Sequence, residues 1–257
     1  MRSMEKIAPL SLAEAAWDNT GLLLEAPYPR PNASKVFLTI DLTQEVLEEA
    51  ISDPSVGVIV AYHPPLFKAF KRLCLNDEKQ NIALKCAASG ISIYSPHTAL
   101  DSCVGGINDW LSRGLGKGRT VPIVVVCTLD TPVSLDEIVR RVKTHLSLDH
   151  VRLARSMDHR NDSKLVSTVA ICAGSGFSVL RDVSADVNVT SRGLGRNCKG
   201  VSTILCEHTN TERGYLSQVL QTRLLSLLKV DLGLDVEADV RIDVTVSKFD
   251  HDPLTIV

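Results

Sequence analysis

The chain has 257 residues, 28 of them Lys or Arg and 30 Asp or Glu, so its formal net charge is −2 with histidines neutral. This length suits one large domain or two small ones, and 44% hydrophobic with 23% charged residues excludes the disordered and fibrous classes. The balanced charge leaves no broad basic face of the kind a phosphate backbone demands, which argues against direct nucleic-acid binding.

No apolar run approaches the ~18 residues of a membrane span; the longest, Val58 to Tyr62 and Val121 to Cys127, have strand length. A soluble protein with no membrane partner is expected. Glu5 and Glu14 interrupt any N-terminal signal-peptide core, so a cytoplasmic location is expected, with nuclear and mitochondrial addresses left open. Seven cysteines, an odd number without a CxxC pair, speak against a disulfide framework or a cysteine-type zinc site. Cys127, Cys172 and Cys206 read as small buried hydrophobes.

In chain order, Ser11-Leu-Ala-Glu14 has the spacing of a capping box and predicts a helix start. Lys35 to Asp41 reads as a strand, Thr43 caps a helix through about Ile51, and the β-branched run Val58 to Tyr62 stops at His63-Pro64-Pro65. A helix from about Asp77 ends at Gly90, Ile91 to Ser95 is a strand, and the Gly105-Gly106 break leads into a helix around Trp110 and Leu111. The Gly/Arg/Lys stretch from Gly114 to Thr120 is the candidate linker, dividing the chain into an α/β half over 1–118 and a second over 119–257. A strand follows at Pro122 to Thr128, then a helix capped by Ser134 with Leu135, Ile138, Val142 and Leu146 on one face. Strands at Val151 to Arg155 and Leu165 to Ala173 flank a polar turn at Asp158 to Ser163. Beyond them lie a weak strand near Val187, a strong one at Ser202 to Cys206, a helix from about Thr211 to Leu228, and a last strand at Val240 to Val246. Alternating strand and helix periods predict an α/β fold with a largely parallel sheet.

The chemistry sits at strand ends. His63 ends the strand Val58 to Tyr62, His97 ends Ile91 to Ser95 with Asp101 four residues on, and His208 ends Ser202 to Cys206 with Glu212 four residues on. In a parallel α/β sheet the C-terminal strand ends share one edge, where ligand sites form. Each histidine taken alone suits an ordinary surface or core role; the threefold coincidence points to a metal site. Histidine with carboxylate and no cysteine suits Zn, Mn, Fe or Co, and five side chains exceed what one zinc needs, so one or two ions per chain are expected. Cys172-Ala-Gly174-Ser-Gly176 follows a strand but lacks the third glycine of a dinucleotide fingerprint, and reads as a tight turn more than as a phosphate cradle. The glycine-rich run Gly193 to Gly200 lacks the Gly-Lys-Ser/Thr of a P-loop and reads as a flexible loop.

Ser11-Leu-Ala-Glu14 through Trp17-Asp-Asn19 and Gly21-Leu, Tyr62-His63-Pro-Pro-Leu-Phe67, Ser95-Pro-His97-Thr-Ala-Leu-Asp101, Cys172-Ala-Gly-Ser-Gly176 and Cys206-Glu-His208-Thr-Asn-Thr-Glu212-Arg-Gly-Tyr together resemble the NIF-three-like family of dinuclear metal proteins, also labelled GTP cyclohydrolase I type 2 homologues. The match runs almost end to end and its wording is closest to the animal branch. The resemblance implies two α/β halves around a metal-binding cleft and ring-like homo-oligomers, often hexamers. It places His63, His97, Asp101, His208 and Glu212 on the metal ligands, with Glu212 and Asp101 as the catalytic carboxylates of a hydrolase acting on a nucleotide-like or phosphorylated small molecule. The alternative it carries is a non-enzymatic partner of transcriptional regulators with a structural or vestigial metal. A phosphate-ligand sensor using Gly174 to Gly176 is a third reading. This chain departs from the pattern in Tyr62-His63, where many bacterial relatives have His-His, in Thr190-Ser-Arg-Gly-Leu-Gly, and in lacking the inserted middle domain of longer relatives.

Overall fold

The fold is described from a computed structural model for residues 1–116, 118–119, 125–160, 164–180, 183–191, 200–233 and 242–254. Parts of the predicted linker and of the strand after it (117, 120–124), of the polar turn (161–163) and of the last strand (240–241) lie outside the described residues, as does most of the glycine-rich loop with Cys198.

The elements are α1 (Arg2–Ile7), β1 (Gly21–Leu24), β2 (Lys35–Thr39), α2 (Gln44–Ser52), β3 (Val56–Ala61), α3 (Glu78–Ala88), β4 (Ser92–Ser95), α4 (His97–Ser102), α5 (Ile107–Arg113), β5 (Gly118–Arg119), β6 (Val125–Val133), α6 (Leu135–Leu146), β7 (Arg152–Ala154), β8 (Val166–Ile171), α7 (Phe177–Leu180), β9 (Val187–Thr190), β10 (Ser202–Leu205), α8 (Arg213–Tyr215), α9 (Gln221–Asp231) and β11 (Asp243–Val246). The chain divides into two compact units, one of residues Met1–Cys103 with Tyr215–His251 and the other of Val104–Gly214 with Asp252–Val257.

The first unit holds a sheet in the order β1-β4-β3-β2-β11, parallel except for β1. Its central strand β3, Val-Gly-Val-Ile-Val-Ala, carries no polar side chain, as befits a parallel strand within a sheet. The register sets Phe37 beside Ile59 and Ile59 beside Ile93, and this row packs with Val46 and Leu47 of α2 and Ile82 and Cys86 of α3. Thr43 and Asp77 cap these two helices by accepting from the backbone amides of Val46 and Gln80. After α9 the chain returns to this sheet, where β11 lies alongside β2 and Asp250 accepts from the Ile40 amide at 2.6 Å.

The second unit holds a sheet in the order β5-β6-β8-β9-β10-β7. Strands β8, β9 and β10 are mutually parallel, whereas β5 on β6, β6 on β8 and β7 on β10 are antiparallel. The largely parallel expectation is therefore corrected to a mixed α/β fold with two sheets. Alternating periodicity identifies an element's type but not the direction in which a crossover returns it. The fold around β8 is fixed by Asp186, whose Oδ2 accepts from the Ser167 and Thr168 amides, each at 2.9 Å, while Lys164 lies 2.8 Å from Oδ1. Burial by itself raises this carboxyl's pKa, but the Lys164 ion pair and the amide donors overcome it and hold the value at about 2. A pKa depressed in the folded state stabilises above the unfolded value near 4 and loses that stability as pH falls towards 2. Urea unfolding of Asp186→Asn is expected to show a loss of about 1–2 kcal/mol at pH 7 and almost none at pH 2.

Three local expectations are corrected. The Ser11 box forms only a 3-10 turn over Leu10–Leu12, because the Glu14 amide donates to Thr98 Oγ1 at 3.0 Å instead of entering a helix. Ser134 and Glu137 also have capping-box spacing, and half of that box is present: the Ser134 hydroxyl accepts from the Glu137 amide, but the Glu137 carboxylate turns to Arg140 and Arg141. The helix expected over 211–228 is a 3-10 turn at Thr209–Thr211, then α8, a π-helical turn over Leu216–Leu220, and α9. Cys127 and Cys206 are buried as expected, and burial pushes the Cys206 thiol up to about 12; Cys172, just past β8, is only half-buried. Among the described residues no helix is long and apolar enough to cross a membrane.

Candidate metal centre

In the first unit β2, β3 and β4 run parallel, so their C-terminal ends deliver Asp41, His63 and His97 to one edge of the sheet. The ladder continues past β3, with the amides of Tyr62 and His63 donating to the carbonyls of Thr39 and Ile40 at 2.9 and 3.0 Å. Ser95 Oγ, buried, donates to the Tyr62 carbonyl at 2.8 Å and locks β4 to the same corner. The rings of His63 and His97 are 5.6 Å apart between centroids, and the Tyr62 ring lies 5.0 and 5.5 Å from them. Tyr62 donates its hydroxyl to Asp101 Oδ1 at 2.6 Å and so orients the carboxylate of α4.

Both imidazoles are held from behind. His63 Nδ1 lies 2.9 Å from Asp41 Oδ1, and His97 Nδ1 lies 2.6 Å from Asp18 Oδ1. A carboxylate at Nδ1 fixes the tautomer that directs the Nε2 lone pair outward, which is the arrangement of metal-bound histidine. Burial favours neutral Asp18, but hydrogen bonds from Thr98 and His97 outweigh it and hold the carboxyl below its ordinary pKa. Trp17 and Phe67, about half exposed, stand 6.1 and 6.4 Å from the His97 ring.

In the second unit the parallel strands β8, β9 and β10 end at a common edge. His208 and Glu212 lie beyond β10, joined by a 3-10 turn in which Thr211 Oγ1 donates to the His208 carbonyl at 2.7 Å. His208 Nδ1 contacts Ser175 Oγ at 3.3 Å, and its Nε2 is 3.4 Å from Oε1 of Glu212, a residue only 1% exposed. Two ligand atoms each about 2.1 Å from a tetrahedral ion stand about 3.4 Å apart, so this pair fits a shared divalent cation. The 174–176 turn forms the wall behind them. Gly174 has φ +57°, and a Cβ there would sit 2.7 Å from Glu212 Oε1 and 2.8 Å from His208 Nε2. Its amide donates to Thr211 Oγ1 at 2.9 Å, and its carbonyl accepts from the Ser191 amide at 3.2 Å.

The five sequence candidates thus fall into two sets, His63, His97 and Asp101 in the first unit and His208 and Glu212 in the second. Asp18, Asp41 and Ser175, which orient the three histidines, were not identified from sequence. Asp41 was discoverable, since two adjacent parallel strands ending in Asp41 and His63 meet at one edge. Asp18 carried no such signal, being 79 positions from His97 in a loop. Strain marks the same corners: His97 has φ +27° and Glu207, just before His208, has φ +62°.

Comparison with known proteins identifies the family and the fold. The Duf34/NIF3 (NGG1p interacting factor 3) family profile matches residues 1–252. The chain is 44% identical to the protein NIF3 homolog of Schizosaccharomyces pombe, with 98% of this chain and 95% of that protein aligned. It is 35% identical to NGG1-interacting factor 3 of Saccharomyces cerevisiae over 100% of this chain and 95% of that one. A crystal structure of a Bacillus cereus protein related to NIF3 superposes with a TM-score of 0.80 at 18% identity, covering 100% of this chain and 97% of the other. With its fold, its strand-end histidines and these relatives in agreement, the chain belongs to the Duf34/NIF3 family.

Proposed function

We propose that the protein binds one or two divalent ions, Zn, Fe, Mn or Co, through His63, His97, Asp101, His208 and Glu212, and acts as a metal-dependent hydrolase of a nucleotide-like or phosphorylated small substrate. The observation that carries this reading is the orientation of two imidazoles: His63 and His97 each have Nδ1 against a carboxylate, Asp41 or Asp18, and so offer Nε2 as donor, while His208 Nε2 stands 3.4 Å from Glu212 Oε1. Histidine and carboxylate without thiolate is the donor set of borderline and hard divalent ions. Such an ion supplies Lewis acidity at a phosphoryl or carbonyl oxygen. The chain's own residues do the positioning. Tyr62 holds Asp101 in one orientation, buried Glu212 brings a negative charge that a cation neutralises, and Trp17 with Phe67 offers an aromatic wall against which a planar substrate ring can rest.

A second reading is favoured by the name of the Saccharomyces cerevisiae relative, NGG1-interacting factor 3: a cytoplasmic or nuclear homo-oligomer that engages a transcription-related protein and keeps its metal for structure. Glu212→Gln separates the two. Purified protein reconstituted with Zn or Mn is expected to retain one or two ions per chain by elemental mass spectrometry. In a hydrolase the substitution removes turnover of nucleoside triphosphates by more than 100-fold in a folded protein; in a scaffold it lowers only the melting temperature or the assembly state. Failure of the wild-type chain to retain any ion after reconstitution would end the metal reading altogether.

A further inference from the structure

In the segment between β3 and α3, large apolar side chains and cations stand together in solvent. Phe67, Phe70, Leu73 and Leu75 are 44%, 37%, 57% and 66% exposed. Lys68, Lys71 and Arg72 lie among them, all exposed, and none of the three forms a side-chain ion pair among the described residues. Residues 66–76 contain no acidic side chain, so the strip is positive throughout in a chain whose net charge is −2.

The strip is fastened at both ends. Asn19 Nδ2 donates to the Leu66 carbonyl, the Cys74 amide donates to Gln80 Oε1 at 2.7 Å, and Asn81 Nδ2 donates to the Leu75 carbonyl at 2.9 Å. The Phe67 ring stands 6.3 Å from that of Trp17. Apolar surface left in water costs roughly 25 cal/mol per Å², and a partner that covers it recovers that cost. Because the ends are already fixed, less chain entropy is lost when the partner arrives.

We propose that residues 67–75 are a docking strip for a short acidic, amphipathic segment of a protein partner. Its carboxylates meet Lys68, Lys71 and Arg72, and its apolar side chains cover Phe70, Leu73 and Leu75. The mixture of the two chemistries selects this class. A nucleic-acid backbone answers the cations but leaves the leucines in water, and an anionic lipid surface is a broad field that the chain's net negative charge opposes. Nine residues span at most about 30 Å, the footprint of a linear segment of roughly ten residues and not of a folded domain. The proposal takes from the second functional reading only that the partner is a protein, and adds the surface and the chemistry that hold it.

The probe is a fluorescein-labelled peptide that repeats Asp-Glu-Phe-Asp-Glu-Leu twice. Each of two controls alters one half of its chemistry, with serine in place of the apolar residues or lysine in place of the acidic ones. Fluorescence anisotropy with the whole protein is expected to show saturable binding of the probe, unchanged when a chelator removes divalent ions, and binding of both controls weaker by about tenfold or more. Lys71→Glu with Arg72→Glu, and separately Leu73→Ser with Leu75→Ser, are each expected to weaken the probe about tenfold, whereas Lys248→Glu, at an exposed cation outside the strip, changes it by less than about twofold. Circular dichroism checks that the variants are folded. Absence of saturable binding, equal binding of either control, an equal effect of Lys248→Glu, or tighter binding of an oligothymidylate or of phosphatidylserine vesicles than of the probe each overturns the proposal. None of these outcomes touches the metal reading, which ion retention and Glu212→Gln decide.

Discussion

Gly174→Ala is expected to weaken divalent-metal affinity at least 100-fold while leaving the protein folded. The glycine sits at φ +57°, where a side chain costs roughly 1–2 kcal/mol, and the new methyl would stand 2.7–2.8 Å from both Glu212 Oε1 and His208 Nε2. The turn cannot easily retreat, because its amide and carbonyl are tied to Thr211 and Ser191. The side chains must therefore move, and displacing an atom from its coordination position costs at least as much as losing a residue that merely orients it, about 10–100-fold. Zinc competition against a chromophoric chelator measures the effect, with far-ultraviolet circular dichroism as the check on folding. An affinity within threefold of wild type would show that Gly174 does not shape the site.

The second large effect is expected at Arg30, far from any metal chemistry. Its guanidinium donates to four backbone carbonyls: Nε to Ser89 at 2.7 Å, Nη1 to Asp53 at 2.6 Å and Val56 at 3.1 Å, and Nη2 to Ile51 at 3.1 Å. These carbonyls belong to the end of α2, the start of β3 and the end of α3, where a cation also meets the negative ends of two helix dipoles. Arg30→Ala is expected to cost about 3 kcal/mol, a fall of roughly 6–12 °C in melting temperature for a chain of this size. Arg30→Lys is expected to recover less than half, since a point charge cannot reproduce the planar fork. Differential scanning calorimetry decides; a loss under 1 kcal/mol for Arg30→Ala would mean that water satisfies the four carbonyls equally well.

Much of the fold was legible because it is locally written. Thr43, Asp77 and Ser134 act as caps where the sequence places them, since the cap hydrogen bond spans only three residues. Strand positions were legible from β-branched runs, as at β3 and β8. Strand direction and partner were not. That β7 pairs antiparallel with β10, or that β11 lies beside β2, depends on contacts dozens to hundreds of residues apart. The Ser11 box failed for a related reason: a tertiary partner, Thr98, claimed the amide that the helix needed.

The candidate site divides along the same line. Its donor residues stand at strand ends and could be read from spacing, whereas the atoms that aim them, on Asp18 and Ser175, come from elsewhere in the chain. Tyr62, marked in the sequence only as a departure from a histidine pair, has an assigned contact, the hydroxyl bond to Asp101.

The return of α9 and β11 to the first unit orders events during synthesis. A ribosome delivers residues 1–103 first, yet β2 stays an open edge until Asp243–Val246 emerges more than 200 residues later. Throughout that interval Val36, Phe37 and Leu38 present an unzipped backbone that a neighbouring nascent chain can capture. Polysomes crowded with this message are therefore where chaperone demand should concentrate, and premature stop codons before position 243 should yield aggregates rather than a smaller working protein.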